Sequence, residues 1–157
     1  MPKITPFLWF NDQAEEAMHY YVSLFKNSEV LGVTRLGKPG QLPGGEVLIA
    51  SFILEGQEFR ALNGGPHYTF NPAVSFLVDC DSQQEVDDLW NKLAPDGEPL
   101  NCGWIKDKFG LVWQIVPKVL PQMLQDQDAQ KAERVRQAML QMRKIDIPTL
   151  QQAYNQP

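Results

Sequence analysis

The chain carries one pattern twice, and that repeat limits its possible folds more than any other feature. The stretch "FLWFNDQAEEAMHYYVSL" from Phe7 lies over "FLVDCDSQQEVDDLWNKL" from Phe76, an offset of 69 residues. Phe-Leu falls on Phe-Leu, Asp12 on Asp81, Glu16 on Glu85, Ala17 on Val86, Tyr20 and Tyr21 on Leu89 and Trp90, and Leu24 on Leu93. Each copy reads as a short strand, an acidic cap and an amphipathic helix.

In the first copy Asp12 is placed to cap, with Glu15 three residues on, and Ala14, Ala17, Tyr21, Leu24 and Phe25 recur at helical spacing. In the second, Ser82 and Glu85 form a capping box, followed by the stripe Val86, Leu89, Trp90 and Leu93. Strand-like segments follow each helix: "EVLGVTRL", "EVLIASFILEG" and "QEFRALNGG" after the first, "PLNCGWIKD" and "LVWQIVP" after the second. The loop "GKPGQLPGG" joins the first two, where its glycines do not open a helix and so do not read as a phosphate cradle. The expectation is an α+β fold of tandem βαβββ modules with a C-terminal helical extension. It forms one domain, with module one over about 3–66, module two over about 73–118 and the tail over about 119–157. "GGPHYTFNP" links the modules. In the tail, Asp128 caps a helix whose face is Val135, Ala138, Met139 and Met142, and Pro148 opens a last short helix ending near Tyr154. Two such modules can enclose a cleft, the usual place for a small ligand.

At 157 residues, 43% hydrophobic and 21% charged, the composition is that of a globular protein. A net charge of −5 makes nucleic acid and anionic membranes poor partners. "MPKITPFLWF" lacks a signal pattern and no apolar run reaches membrane length, so a cytoplasmic location is expected. Two cysteines, Cys80 and Cys102, are too few for a disulfide framework and lack metal-type spacing.

Within "KDKFGLVWQIVP", a turn leads into an apolar strand that holds a single amide, Gln114. A polar group there costs free energy unless something hydrogen-bonds it, so Gln114 is the first candidate for a ligand contact.

"ITPFLWFNDQAEEAMHYYVSLF" and "CGWIKDKFGLVWQIVP", set in tandem βαβββ order, resemble the vicinal oxygen chelate superfamily of glyoxalase I, bleomycin-resistance proteins and extradiol dioxygenases. The resemblance is closest to its PhnB-like branch, often labelled 3-demethylubiquinone-9 3-methyltransferase-like. It runs from about Ile4 to Pro117, and the tail from Val119 to Tyr154 resembles an extension seen in that branch. The resemblance implies that metal-dependent relatives carry a glutamate ligand four residues after the turn glycine; here Gly110 plus four is Gln114. The other implied ligand positions fall at Thr5 or Pro6, at Ala73, Val74 or Ser75, and near Ala61 or Asn63. None is His, Cys, Asp or Glu, whereas a catalytic metal takes about three protein ligands. No metal and no cofactor are expected.

Thr5, Phe7 and Trp9 alternate along strand one and would share the cavity face. Asn63, in "LNGG", is read either as lining the cleft or as a turn device. Cys102, two residues before Trp104 and on its strand face, is a weak nucleophile candidate needing a cation, for which Lys106 is the local choice. Cys80 is a weaker one. His67, on the linker, can reach a partner's cleft; His19 points toward solvent. Two isolated histidines support no Ser-His-Asp triad. The cleft set is therefore Thr5, Phe7, Trp9, Asn63, His67, Ser75, Cys102, Trp104 and Gln114. The methyltransferase label finds no support, since "NDQAEE" after the first strand lacks the glycine-rich turn of the common methyl-donor fold. The expected function is metal-independent binding of a small organic molecule. The alternatives are a divalent-metal lyase, isomerase or dioxygenase of the glyoxalase type, and a non-catalytic resistance protein that sequesters a toxic compound. Open strand edges and the apolar tail face point to a homodimer.

Overall fold

The computed structural model describes residues 2–35 and 47–156; the loop read from "GKPGQLPGG" lies outside the described residues. The chain divides into two compact units, Met1–Thr69 and Phe70–Pro157.

The first unit is a βαβββ module: β1 (Phe7–Phe10), α1 (Ala14–Leu24), β2 (Ser28–Arg35), β3 (Val47–Leu54) and β4 (Gln57–Asn63). Its sheet runs β1-β4-β3-β2, with β1 parallel to β4 and the other pairs antiparallel. Alternation gives the sheet one dry side. Leu8, Phe10, Ala50, Phe52, Leu54, Phe59 and Ala61 are buried with Ala14, Ala17, Met18, Tyr21 and Leu24 of α1. Phe52 and Phe59 are cross-strand partners whose rings stack at 5.7 Å, worth about 0.5–1.5 kcal/mol beyond burial.

The second unit repeats the order in shorter strands: β5 (Phe76–Cys80), α2 (Gln83–Leu93), β6 (Glu98–Pro99), β7 (Trp104–Lys106) and β8 (Val112–Pro117), arranged β5-β8-β7-β6. Val86, Leu89, Trp90 and Leu93 of α2 are buried, as are Cys80, Ile105, Trp113 and Ile115. Ser82 caps α2 as expected, accepting from the Glu85 N–H, while Glu85 reaches back one residue further and accepts from the Asp81 N–H. In the first module Asp12 does not cap. The N-cap is Gln13, with no side-chain bond to the helix, and the Ala14 N–H donates instead to Asn63 Oδ1 at 2.8 Å.

The segment "PLNCGWIKD" is not one strand. Cys102 and Gly103 have φ of +60° and +85°, so the chain turns there before β7 begins at Trp104. The copies also differ in phase. The helices begin 69 residues apart, at Ala14 and Gln83, but the strands before them end 70 apart, at Phe10 and Cys80. The first link is one residue longer. Phe7-Leu8 and Phe76-Leu77 therefore point in opposite senses: Leu8 is buried, whereas Leu77 is 52% exposed.

Helices α3 (Val119–Leu124), α4 (Ala129–Leu140) and α5 (Ile147–Asn155) form the tail. Asp128 caps α4 as expected, and Asp146 caps α5 with Pro148 in its first turn. The face seeking an apolar partner finds it within the chain: Val135 joins Val116, Leu120, Met123, Ile145 and Leu150 in one buried cluster, with Ala138, Met139 and Met142 packed against it. The tail face therefore gives no support to a dimer.

Candidate functional site

The turn before β8 fixes Gln114. Asp107, only 2% exposed, accepts from the Phe109 and Leu111 N–H groups through Oδ1 and from the Trp113 indole Nε1–H through Oδ2, all within 2.8–3.0 Å. Gly110 closes the turn at φ +91°, its N–H on the Asp107 carbonyl. The carboxylate thus binds turn and strand together through Trp113, and the spacing Asp-x-Phe-Gly-x-x-Trp is explained by architecture. Strand alternation then turns the next side chain, Gln114, to the side away from α2. It sits half-buried in register between Leu77 of β5 and Trp104 of β7. One end of its amide is held, Nε2 donating to Ser75 Oγ at 2.9 Å. The amide oxygen has no protein partner among the described residues.

The strand offset of 70 bears on the register left open in the sequence. Thr5 corresponds to Ser75 rather than to Ala73 or Val74, and Phe7 to Leu77. Phe7 pairs with Arg60 as Leu77 pairs with Gln114, so Arg60 is the counterpart of Gln114 in module one. From the sequence that position is expected near Ala61 or Asn63, whereas the pairing of β1 with β4 sets Arg60 there. Both of those face α1: Ala61 is fully buried, and Asn63 is 5% exposed and occupied as the cap of Ala14. The open face of module one instead carries Phe7, Trp9, Arg60 and Leu62, with Ser51 beside Arg60 in register. Arg60 Nε donates to Glu58 Oε2 at 3.0 Å, an exposed pair that leaves the guanidinium Nη atoms without a protein partner among the described residues. Trp9 Nε1 donates to the Gly65 carbonyl at 3.0 Å, and its ring meets Tyr68 edge-on at 5.0 Å. A Cβ at Gly64 would stand 2.2 Å from that indole, so the glycine makes room for it.

Cys102 does not share a strand face with Trp104; its N–H donates to the Met142 carbonyl from within the turn. Lys106, the cation proposed for it, lies 3.6 Å from Glu98. Cys80 is fully buried, and desolvation followed by the charges of Glu85, Asp79 and Asp81 pushes its thiol up to about 12. It is a protonated, unreactive thiol. His67 and His19 are exposed.

The superfamily resemblance implies ligand positions for a divalent metal in its metal-dependent members. Taken one by one, these positions here carry the neutral oxygens of Thr5, Ser75 and Gln114 and the cation Arg60, where a divalent ion calls for carboxylate, imidazole or thiolate ligands. Among the described residues no group of three or more His, Cys, Asp or Glu could hold a metal ion. No helix among them is long and apolar enough to cross a membrane.

Two α+β modules with a polar residue at matched points of their open faces define a class of protein that comparison narrows. Residues 2–116 match the model of the 3-demethylubiquinone-9 3-methyltransferase family, and the chain belongs to that family. A PhnB protein from Bacillus cereus is 40% identical, over 74% of this chain and 99% of that one, with a TM-score of 0.67. Protein PA1353 from Pseudomonas aeruginosa, 21% identical over 75% and 98% of the two chains, shares the fold with a TM-score of 0.62. An Arabidopsis thaliana gene product, 17% identical over 74% and 98%, does so at 0.51. No curated protein gives a significant match. The helices of the tail lie outside the span matched by the family model.

Proposed function

We propose that the protein binds small organic molecules without a metal on the open faces of its sheets, each face taken by itself, with Gln114 the anchor on that of module two and Arg60 the anchor on that of module one. The observation that carries this reading is the Gln114 amide, fixed at one end by Ser75 and, among the described residues, without a partner at the other, between Leu77 and Trp104. A half-buried amide oxygen gains from a ligand donor, and an arginine whose Nη atoms have no partner among the described residues gains from a ligand oxygen. Phe7 and Trp9, on the face that carries Arg60, and Trp104, beside Gln114, each suit a flat ring. The ligand class is a planar or aromatic compound bearing carbonyl or carboxylate oxygen.

Binding rather than turnover is what these side chains support. Cys80 is a buried, protonated thiol, Lys106 near Cys102 is paired with Glu98, and β1 and β5 lead into Asn11-Asp12-Gln13 and Asp81-Ser82, with no glycine-rich turn to hold a methyl donor. The family's name is therefore not carried over as an activity. One equivalent of tightly held metal in untagged protein, with Gln114 among its ligands, would establish the glyoxalase-type alternative instead. Thermal-shift screening with matched aromatic carboxylates, carboxamides and quinones identifies ligands, because a tight ligand stabilises the fold by mass action. For a hit, Gln114→Leu is expected to weaken binding by about 1–3 kcal/mol with little change in melting temperature. A lowered melting temperature with intact binding would sink the assignment.

The homodimer remains part of this reading on one ground. β2 ends its sheet with Val30 and Leu31 at 40% and 47% exposure, and a strand edge of that kind calls for cover. A monomer by light scattering at micromolar concentration would remove it.

A further inference from the structure

We propose that Met142–Ile147 is a strap that locks the Asn101–Gly103 turn and so holds Trp104 beside Gln114, making the helical tail a positioning element for the open face of module two. The segment is tied at both ends. At one end, the Cys102 and Gly103 N–H groups donate to the Met142 and Arg143 carbonyls at 2.8 and 2.7 Å, and Arg143 Nη1 donates to the Pro99 carbonyl at 3.2 Å. At the other, the Gln83 side chain at the start of α2 grips the backbone twice, Nε2 donating to the Ile145 carbonyl at 2.9 Å and Oε1 accepting from the Ile147 N–H at 2.7 Å. Lys144 adds an ion pair with Asp87 at 2.9 Å.

Between these ties Ile145 is fully buried, and its position demands Gly103. A Cβ there would stand 3.0 Å from both Ile145 Cγ1 and the Ile115 carbonyl, at a φ of +85° that side chains rarely adopt. Gly103 immediately precedes Trp104, and its carbonyl accepts from the Ile115 N–H, next along β8 from Gln114. With β6 of two residues and β7 of three, little ladder exists to fix this corner of the sheet. The strap supplies what the strands lack.

The positioning role rests on Gln114 as a ligand contact, but its test needs no ligand. In the full-length protein, Gln83→Leu removes both grips while keeping an apolar stem on α2. Amide exchange at Cys102 and Gly103 should accelerate tenfold or more, while Gly64, whose N–H donates to Phe10 in module one, keeps its rate. The Trp104 indole and Gln114 side-chain amide resonances should shift together in the same variant, which a merely stabilising tail would not cause. If the variant does not fold, Lys144→Ala loosens the strap at an exposed tie and should give the same pattern more weakly. Unchanged exchange at Cys102 and Gly103, or uniform acceleration across module two with the two resonances unmoved, would overturn the strap and leave the Gln114→Leu binding test untouched.

Discussion

The two modules share an order of elements yet are held together by different means. Module one has three strands of seven or eight residues, and its helix borrows a cap from Asn63, 49 residues away, on the end of β4. Module two has strands of two and three residues beside β8, a helix capped locally by Ser82, and a tail whose apolar cluster reaches Val116. Where ladder is plentiful, the sheet stabilises the helix. Where it is scarce, buried polar ties and an added helical layer take its place. A repeat in sequence is thus no guarantee of a repeat in energetics.

Asp107→Ala should break this contrast most strongly. It strands two turn amides and the Trp113 indole, for which about 3 kcal/mol or more is expected, and exchange protection should fall in module two before module one. Equal loss in both modules would show that they melt as one unit. Next comes Leu150→Ala. Removing a fully buried leucine from the tail cluster should cost about 2–5 kcal/mol, and a cost near zero would show that module two does not lean on its tail. Asn63→Ala and Ser82→Ala compare the caps directly. Each should cost about 0.5–2 kcal/mol by chemical denaturation, with Asn63 the larger because its bond is buried and joins two elements.

The smallest effects are in pH. Burial holds the Cys80 thiol at about 12 against an ordinary 9.0, so the unfolded chain ionises first. Stability from this group is complete below pH 9 and declines from there toward 12. Only Cys102 should be alkylated in native protein at pH 8, and modification of Cys80 without unfolding would contradict its burial. At the acid end, the Lys144 hydrogen bond and then Gln83 hold the Asp87 carboxyl below its ordinary value. Its contribution is present above that value and lost as pH falls through the lower folded one. Cys102 and Gly103 exchange should rise there if the strap loosens first.

The sequence by itself determined what depends on neighbours three or four residues apart or on strand alternation. The tandem βαβββ order, the Ser82 cap, the Asp128 cap and the apolar tail face were legible because helix periodicity, caps and turns are local physics. Gln114 stood out because one amide in an apolar strand breaks its pattern. Tertiary structure decided the rest. One extra residue between β1 and α1 reverses which side Phe7 presents relative to Phe76, and alignment by identity cannot see that reversal because a strand's two faces differ by a single position. Arg60 became the counterpart of Gln114, and Asn63 became a cap, only once β4 was paired with β1 in a definite register. Asp107 read as an ordinary turn residue until its carboxylate met the Trp113 indole. The partner that occupies a polar side chain is set by register and packing between residues distant in the chain, and those pairings have no local signature.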